Sequence, residues 1–282
     1  MRLLSWLPLG ALHRLGNLLG DIIYLLPTET RRVSLVNLER VFPEQSVEER
    51  RRLARLSIRE TVKAGLELGP LWYGDLSKAM ANVVAVEGMD YVKAAQASGR
   101  GIIYASPHLG SWELLGLYVS TLAPLTTLYK PPKIKGLNEL IAGARARAGA
   151  ELVATDRKGV VRLTKTLQNG GATGILPDQQ PRDGGVFAPL FGIPAFTMTL
   201  LPKLAARTNS VVLFTYAERL PAGQGFKVVF MPADEQIDDD DPVIAASALN
   251  RSVERCVRAL PSQYQWGYKR FRRRPDGGAP FY

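Results

Sequence analysis

Cysteine and histidine are scarce in this chain. One cysteine, Cys256, and two histidines, His13 and His108, occur in 282 residues. A single cysteine excludes an intramolecular disulfide, and three such side chains far apart in sequence exclude a zinc site of Cys/His spacing. The sequence also lacks a G-x-S-x-G nucleophile elbow and a G-x-x-x-x-G-K-[ST] phosphate loop. We therefore expect neither a metal nor a cofactor.

Negative charge is in deficit. The formal net charge is +10, while 46% of the residues are hydrophobic and 22% are charged. Such a composition suits a folded chain with a sizeable core, as one large α/β domain or two small ones. The positive surplus favours an anionic partner: nucleic acid, anionic lipid headgroups or an acidic carrier protein. Charge alone does not distinguish these partners.

The N-terminal stretch 3–26, "LLSWLPLGALHRLGNLLGDIIYLL", is rich in leucine. Its small or polar positions (Gly10, His13, Arg14, Asn17 and Asp21) fall along one side of a helix. The charges at 14 and 21 disfavour a membrane-spanning helix, and no small-residue pattern marks a cleaved signal. The pattern predicts a helix lying in a membrane interface, with His13 structural or interfacial; the alternative is a helix packed in the protein core.

Hydrophobic periodicity divides the rest of the chain in two. The first 75 residues read as basic helices, one of them opened by a capping box at Ser46 and Glu49. From about residue 83, short β-branched runs alternate with helical stretches. The runs are "NVVAVEG", "GIIYAS", "LTTLYK", "AELVAT", "ATGILP", "SVVLFTYAE" and "GFKVVFM". The helical stretches are 88–97, 111–122, 136–148, 158–169, 196–208 and 242–260. We predict an α/β fold: a mixed, largely parallel sheet flanked by helices over 76–282, with a helical, membrane-associating segment over 1–75.

The strand "GIIYAS" is followed directly by "PHLGSWELLG", which places His108 at the carboxyl end of a strand, where α/β folds gather function. Pro107 and Gly110 favour non-helical backbone around it, and Ser111 is a plausible N-cap. The imidazole could then hydrogen-bond the carboxylate of Glu113. Such a pair suits removing a proton from an alcohol that attacks a carbonyl. The alternative is a structural loop histidine.

Together, "PHLGSWELLG", "GILPDQQPRDGGVFAPLFGIPAFTMTLLPKLAARTNSVVLFTYAERL" and "YQWGYKRFRRRP" resemble the lipid A biosynthesis (lauroyl/myristoyl) acyltransferases, within the H-x-x-x-x-[DE] glycerolipid acyltransferase group. This resemblance implies an O-acyltransferase at the cytoplasmic face of the inner membrane, held there by the N-terminal helix. It would move an acyl chain from acyl carrier protein to a hydroxyl of a lipid A precursor. The resemblance makes His108 the general base, oriented by Glu113, with no covalent intermediate.

The resemblance also implies substrate-binding residues. These are Lys130, Arg145, Arg147, Asp178 and Gln179, with one of the two arginines gripping a phosphate. Lysine at 130 departs from the arginine that family members often carry, so it loses the bidentate fork. The alternatives are solvated helix positions for the arginines and ordinary turn chemistry around residue 178.

Aromatic side chains supply two further predictions. Phe187, Phe191 and Phe196 suit the lining of an acyl chain, or plain core. The stretch "YQWGYKRFRRRP" interleaves aromatics with cations, as an anionic membrane interface selects. Single-stranded nucleic acid would select the same composition, but the leucine-rich N-terminus favours membrane, so no nucleic-acid partner is expected. The rival functions are acylation of another acceptor, such as a lysophospholipid or another glycolipid, and a non-catalytic basic binding protein.

Overall fold

A computed structural model of the chain describes residues 2–129, 135–275, 277–279 and 281–282. The helices are α1 (Leu9–Leu25), α2 (Glu29–Val41), α3 (Val47–Tyr73), α4 (Leu76–Ala81), α5 (Met89–Ala97), α6 (Trp112–Leu122), α7 (Lys135–Arg147), α8 (Arg157–Gln168), α9 (Leu200–Thr208) and α10 (Pro242–Ala259). The strands are β1 (Val83–Glu87), β2 (Ile102–Ala105), β3 (Leu125–Tyr129), β4 (Ala150–Ala154), β5 (Ala172–Ile175), β6 (Gly185–Leu190), β7 (Ile193–Met198), β8 (Val211–Arg219) and β9 (Phe226–Pro232).

Seven of these strands form one sheet in the order β1-β9-β8-β2-β5-β3-β4. Its strand pairs are parallel except β8 with β9, which are antiparallel. Each of the seven sequence runs is one of these strands, and helices separate most of them. The predicted α/β fold with a mixed, largely parallel sheet is confirmed.

A hairpin of β6 and β7 was not predicted. The helix expected over 196–208 begins only at Leu200, because β7 occupies its first residues. The two strands pair in register and are joined at Phe191 and Gly192, both with positive φ (51° and 74°). Such a two-residue turn matches the twist of paired strands. The signal was present in the sequence as Phe-Gly between alternating apolar residues.

The sheet has a hydrophobic core on each face. Along β2, Ile102 and Tyr104 join one cluster, whereas Ile103 and Ala105 join the other. The cluster that contains Ile103 and Ala105 also holds side chains of α2 and α3 together with those of α9 and α10. The N-terminal helices and the sheet therefore share one core, and the boundary predicted at residue 75, just beyond the end of α3, does not separate two cores.

Helix α1 turns most of its small and polar side inward, onto α3, whereas Arg14 is exposed. His13 is buried, and its Nε2 lies 2.8 Å from Oε1 of Glu67. Asp21 accepts hydrogen bonds from both Arg55 and Arg59. Gly20 allows close approach, because a Cβ there would lie 2.5 Å from the Cα of Arg59.

The opposite side of α1 is apolar and exposed. Leu18, Ile22 and Leu25 expose 59%, 45% and 73% of their surface, and Trp6, just before the helix, exposes 74%. This is the reverse of a helix packed in a protein core, which buries its apolar face. Within the described residues, no helix has the length and apolarity needed to cross a membrane.

The C-terminal aromatic stretch lies in the core instead of at the surface. Tyr264, Trp266 and Phe271 are each at most 6% exposed. Arg270 is buried as well, where it donates to the carbonyl of Phe196. The prediction that these aromatics face a membrane is therefore wrong, because interleaved spacing does not reveal which side of an irregular segment packs inward.

A buried ion pair joins α3 to the sheet. Glu67 and Arg219, 1% and 4% exposed, are held by two hydrogen bonds. Burial opposes ionisation of Glu67, but the charge and hydrogen bonds of Arg219, followed by those of His13, lower its pKa to about 2. Because the pKa is below that of the unfolded chain, this carboxylate stabilises the fold above about pH 4.5.

We expect Glu67→Gln to lower the free energy of unfolding by about 3 kcal/mol at neutral pH, because it leaves buried Arg219 with less negative charge. The difference from wild type should shrink as pH falls from about 4.5 towards 2, since acid removes the same carboxylate advantage from the wild type. Urea unfolding at several pH values measures it. Glu151→Gln, which breaks an exposed pair with Arg162, is the control and should change little. If the difference in free energy of unfolding between wild type and Glu67→Gln did not change with pH, this account of Glu67 would be wrong.

Candidate active site

Two neighbouring parallel strands bring His108 and Asp178 together. Ala105, the last residue of β2, pairs with Ile175, the last residue of β5. His108 and Asp178 each lie three residues beyond those ends. The backbone N–H of His108 donates to Oδ2 of Asp178 at 3.1 Å, and its ring Nδ1 lies 2.9 Å from Oδ1. The carboxylate thus fixes both the backbone and the ring of the histidine.

The electrostatics of this pair favour one tautomer. Asp178 is 2% exposed; burial opposes its ionisation, yet the charge of His108 and its hydrogen bonds hold the pKa of Asp178 below its usual value. An ionised carboxylate accepts the proton of Nδ1–H, which leaves the lone pair on Nε2. That second nitrogen has no hydrogen-bond partner among the described residues, and the side chain is 19% exposed. The pair is therefore arranged as a base with its acceptor nitrogen available.

Glu113 does not form the predicted hydrogen bond with His108. Its Oε1 accepts from Nε of Arg145 at 3.0 Å and from Nε1 of Trp72 at 3.1 Å, and its Oε2 accepts from Nη2 of Arg145 at 2.8 Å. These partners lie on α7 and at the end of α3, so the first turn of α6 points Glu113 towards them. The carboxylate that contacts the imidazole of His108 is that of Asp178 instead.

The backbone of the loop between β2 and α6 is fixed by its neighbours. The N–H of Gln265 donates to the carbonyl of His108, and the N–H of Ser111 donates to that of Ala217. Gly110 has φ +61°, and a Cβ there would lie 2.0 Å from the carbonyl oxygen of Ala217. Only glycine fits this approach, which explains its presence two residues after the histidine.

An apolar cavity of about 720 Å³, including its opening to solvent, lies next to Trp112 and Glu113; neither His108 nor Asp178 is among its lining residues. Ser106, Trp112, Glu113 and Arg145 line it near the carboxyl edge of the sheet, and the ring of Trp112 is centred 5.5 Å from that of His108. Its apolar lining includes Leu115, Leu117, Val119, Leu125, Leu128 and Ile175. It runs along α6 as far as Ser120, roughly 10 Å at 1.5 Å per residue.

The structure separates the two candidate arginines. Arg145 lines the cavity and holds Glu113, whereas Arg147 donates to the carbonyls of Gly74 and Trp72 at the end of α3. Lys130 lies outside the described residues. The amide of Gln179 donates to that of Gln265, at 3.3 Å.

The three candidate phenylalanines lie on the β6–β7 hairpin. Phe187 and Phe196 face each other across its strands at 5.3 Å between ring centres, and Phe191 at the turn packs 6.1 Å from the rings of Phe42 and Trp266. None of the three lines the cavity beside Glu113. The aliphatic lining from α6 was missed; its signal was the nearly unbroken apolar run "WELLGLYV", which places apolar side chains all round the helix.

Cys256 is not placed for covalent chemistry. It is fully buried in α10, and burial raises the pKa of its thiol to about 12. A nucleophilic cysteine requires the thiolate and access to substrate, and Cys256 has neither.

Comparison with known proteins adds the chemistry of the family. A profile of the bacterial lipid A biosynthesis acyltransferases matches residues 1–273. The chain is 30% identical to the lipid A biosynthesis lauroyltransferase of Escherichia coli (strain K12), over 96% of this chain and 88% of that protein. It is 27% identical to the lipid A biosynthesis palmitoleoyltransferase of the same organism, over 98% of this chain and 90% of that protein. Similarity to a phosphatidylinositol mannoside acyltransferase of Mycobacterium tuberculosis (strain ATCC 25618 / H37Rv) is 26% over 64% of this chain and 57% of that protein.

The family profile spans almost the whole chain, including the loop of His108, the strand that leads to Asp178 and the helices that carry Glu113 and Arg145. The protein belongs to the bacterial lipid A biosynthesis acyltransferase family.

Proposed function

We propose that the protein transfers an acyl chain from the thioester of acyl carrier protein to a hydroxyl of a lipid A precursor, with His108 as general base. The observation that carries this proposal is the bond from Nδ1 of His108 to buried Asp178, which leaves Nε2 as the proton acceptor. The net charge of +10 suits both an acidic carrier protein and an anionic, phosphorylated acceptor.

In the proposed reaction, Nε2 of His108 takes the proton of the acceptor hydroxyl as its oxygen attacks the thioester carbonyl. The C–O bond forms, and the tetrahedral intermediate then collapses with cleavage of the C–S bond. The imidazolium returns its proton to the departing sulfur, so one ester and one thiol are produced. Asp178 holds the ring in place and stabilises its charge throughout. Transfer is direct, and buried Cys256 takes no part.

Glu113 acts in this proposal through Arg145. Its carboxylate engages Nε and Nη2 of the guanidinium, which fixes the plane of the cation at the cavity. Within the described residues, Nη1 of Arg145 makes no hydrogen bond, so it can donate to a phosphate or to the developing oxyanion. We therefore propose Arg145, more than Arg147, as the arginine that binds substrate.

We expect His108→Ala and Asp178→Asn each to lower kcat by about a hundredfold or more, with the histidine change the more severe, since the first removes the base and the second loses the tautomer. Acyl transfer from acyl carrier protein to a lipid A precursor is followed by mass spectrometry. Wild-type turnover by His108→Ala would refute the general-base role.

Cys256→Ala is the matched control for that experiment. It removes a buried, nucleophile-type side chain that does not line the cavity, so kcat should stay within twofold of wild type. Loss of turnover in this variant, with the fold retained, would point to an acyl-enzyme intermediate and against direct transfer.

The cavity beside Glu113 is proposed to hold the acyl chain. Gly116 lines it, and a Cβ at this position would meet nothing within 4 Å, so a larger side chain would project into open space. We expect Gly116→Leu to shift preference to shorter chains, each methylene that no longer fits costing roughly tenfold in kcat/KM.

Competition between carrier proteins loaded with different chain lengths measures this preference. Gly65→Leu is the control, because Gly65 also lies in a helix with open space at its Cβ but is exposed and far from the cavity in α3. An unchanged length preference in Gly116→Leu would show that the chain lies elsewhere, for example along the hairpin of Phe187, Phe191 and Phe196.

The exposed apolar side of α1 is proposed as the contact with the inner membrane, at its cytoplasmic face. Binding of the wild type to anionic vesicles should weaken in high salt but persist, because insertion adds to the screened attraction. Replacing Leu18, Ile22 and Leu25 together by glutamine should abolish the salt-resistant part, as vesicle flotation would record.

The matched control replaces Val161, Val243 and Ile244 by glutamine. These residues are also exposed but lie on α8 and α10. Salt-resistant binding should survive in this variant. Complete release of the wild type by salt alone would contradict insertion of α1.

A second acceptor class is supported by the similarity to a phosphatidylinositol mannoside acyltransferase. An acceptor panel containing a lipid A precursor, a phosphatidylinositol mannoside and a lysophospholipid decides between them. The family membership favours product formation with the first alone.

A further inference from the structure

The hydroxyl of Ser111 does not cap the helix that it precedes. Ser111 lies at the N-cap of α6, yet its side chain accepts no hydrogen bond from the first turn. It donates instead to Oε2 of Glu67 at 2.9 Å. A serine at an N-cap ordinarily satisfies a backbone N–H of its own helix, so this hydroxyl is committed to another element at some cost to α6.

Glu67 collects hydrogen bonds from three directions. His13 of α1 meets Oε1 at 2.8 Å, Arg219 of β8 donates to both oxygens, and Ser111 of the His108 loop donates to Oε2. The residue is only 1% exposed, and its carboxylate is hydrogen-bonded to α1, to the sheet and to the loop at the same time.

A second route leads from Glu67 to the same loop. The backbone of Arg219 is bonded on both sides by the side chain of Gln263, whose amide donates to its carbonyl at 2.8 Å and whose oxygen accepts its N–H at 2.9 Å. The carbonyl of Gln263 then accepts the N–H of Gly110 at 3.2 Å. The two routes reach adjacent residues, Gly110 and Ser111, directly after the segment that carries His108.

We propose that Glu67 is a positioning residue: through Ser111 it sets the loop that holds His108 against Asp178, and through His13 it ties that loop to α1. The proposal rests on the general-base role of His108. Asp178, after β5, binds the loop at His108, and Glu67 of α3 binds it at Ser111. Loss of the Ser111 bond therefore lets the imidazole move relative to the cavity without unfolding the site.

The decisive variant is Ser111→Ala, because it cuts the direct link from Glu67 to the loop and leaves Glu67 paired with Arg219 and His13, with the route through Gln263 intact. Ser252→Ala is the matched control: Ser252 is also a buried serine whose hydroxyl is hydrogen-bonded, to Ala248, Asp234 and Arg255, but it lies in α10. Both variants should lose similar thermal stability. Ser111→Thr, which keeps the hydroxyl, is the conservative variant.

Kinetics separate positioning from stability. For Ser111→Ala we expect kcat to fall about tenfold with KM for the acyl donor within twofold of wild type, because binding surfaces are unchanged and only the base is displaced. Ser111→Thr should recover most of the loss, and Ser252→Ala should show none. A wild-type kcat in Ser111→Ala, with a lowered melting temperature, would reduce the hydroxyl to a structural role and overturn the proposal.

A second measurement does not need turnover. Because the chain has only two histidines, protein labelled at histidine with 13C and 15N gives two ring spin systems, and the spectrum of His108→Ala assigns them. In Ser111→Ala the signals of His108 should shift or broaden, and in Ser252→Ala they should match wild type. Unchanged His108 signals in Ser111→Ala would refute positioning. Absence of acyl transfer by the wild type would refute the proposed function alone.

Discussion

The parallel pairing of β2 with β5 is the constraint on which the site depends. Because Ala105 and Ile175 lie opposite each other, the loops that follow leave the sheet side by side, and His108 and Asp178 reach the same depth. A shift of one residue would turn the side chains of one strand to the other face. The partner of the imidazole is thus set by sheet register across 70 residues of sequence, and not by the short spacing within "PHLGSWELLG".

This explains how far the sequence could predict the site. Strands, helices and caps depend on local patterns, so the seven strands and the position of His108 after β2 were predictable. Strand order depends on packing of the whole chain, so the partner of His108 was not. Glu113, five residues away, was the nearer carboxylate, but its own partners come from α7 and α3. Asp178 was expected to bind substrate, and its bond to His108 was not predicted.

Two segments show what composition leaves open. Helix α1 and the C-terminal stretch both combine apolar and charged residues, yet they pack in opposite senses. In α1 the polar His13 is buried against α3 and Leu25 is exposed; at the C-terminus Trp266 and Phe271 are buried. Composition records which residues are present, whereas orientation depends on what each side meets. Partners such as Glu67, which can pair with the imidazole of His13, make an inward polar side stable.

Three buried carboxylates hold the segment that runs from His108 into α6, one of them within the segment itself. Glu67, Glu113 and Asp178 come from α3, α6 and the loop after β5, and each is bonded to a group from a different element. A buried carboxylate without its partners is strongly unfavourable, so these bonds form together only when α1, α3, α7 and β5 have all reached their places. The reactive geometry therefore belongs to the fully assembled fold.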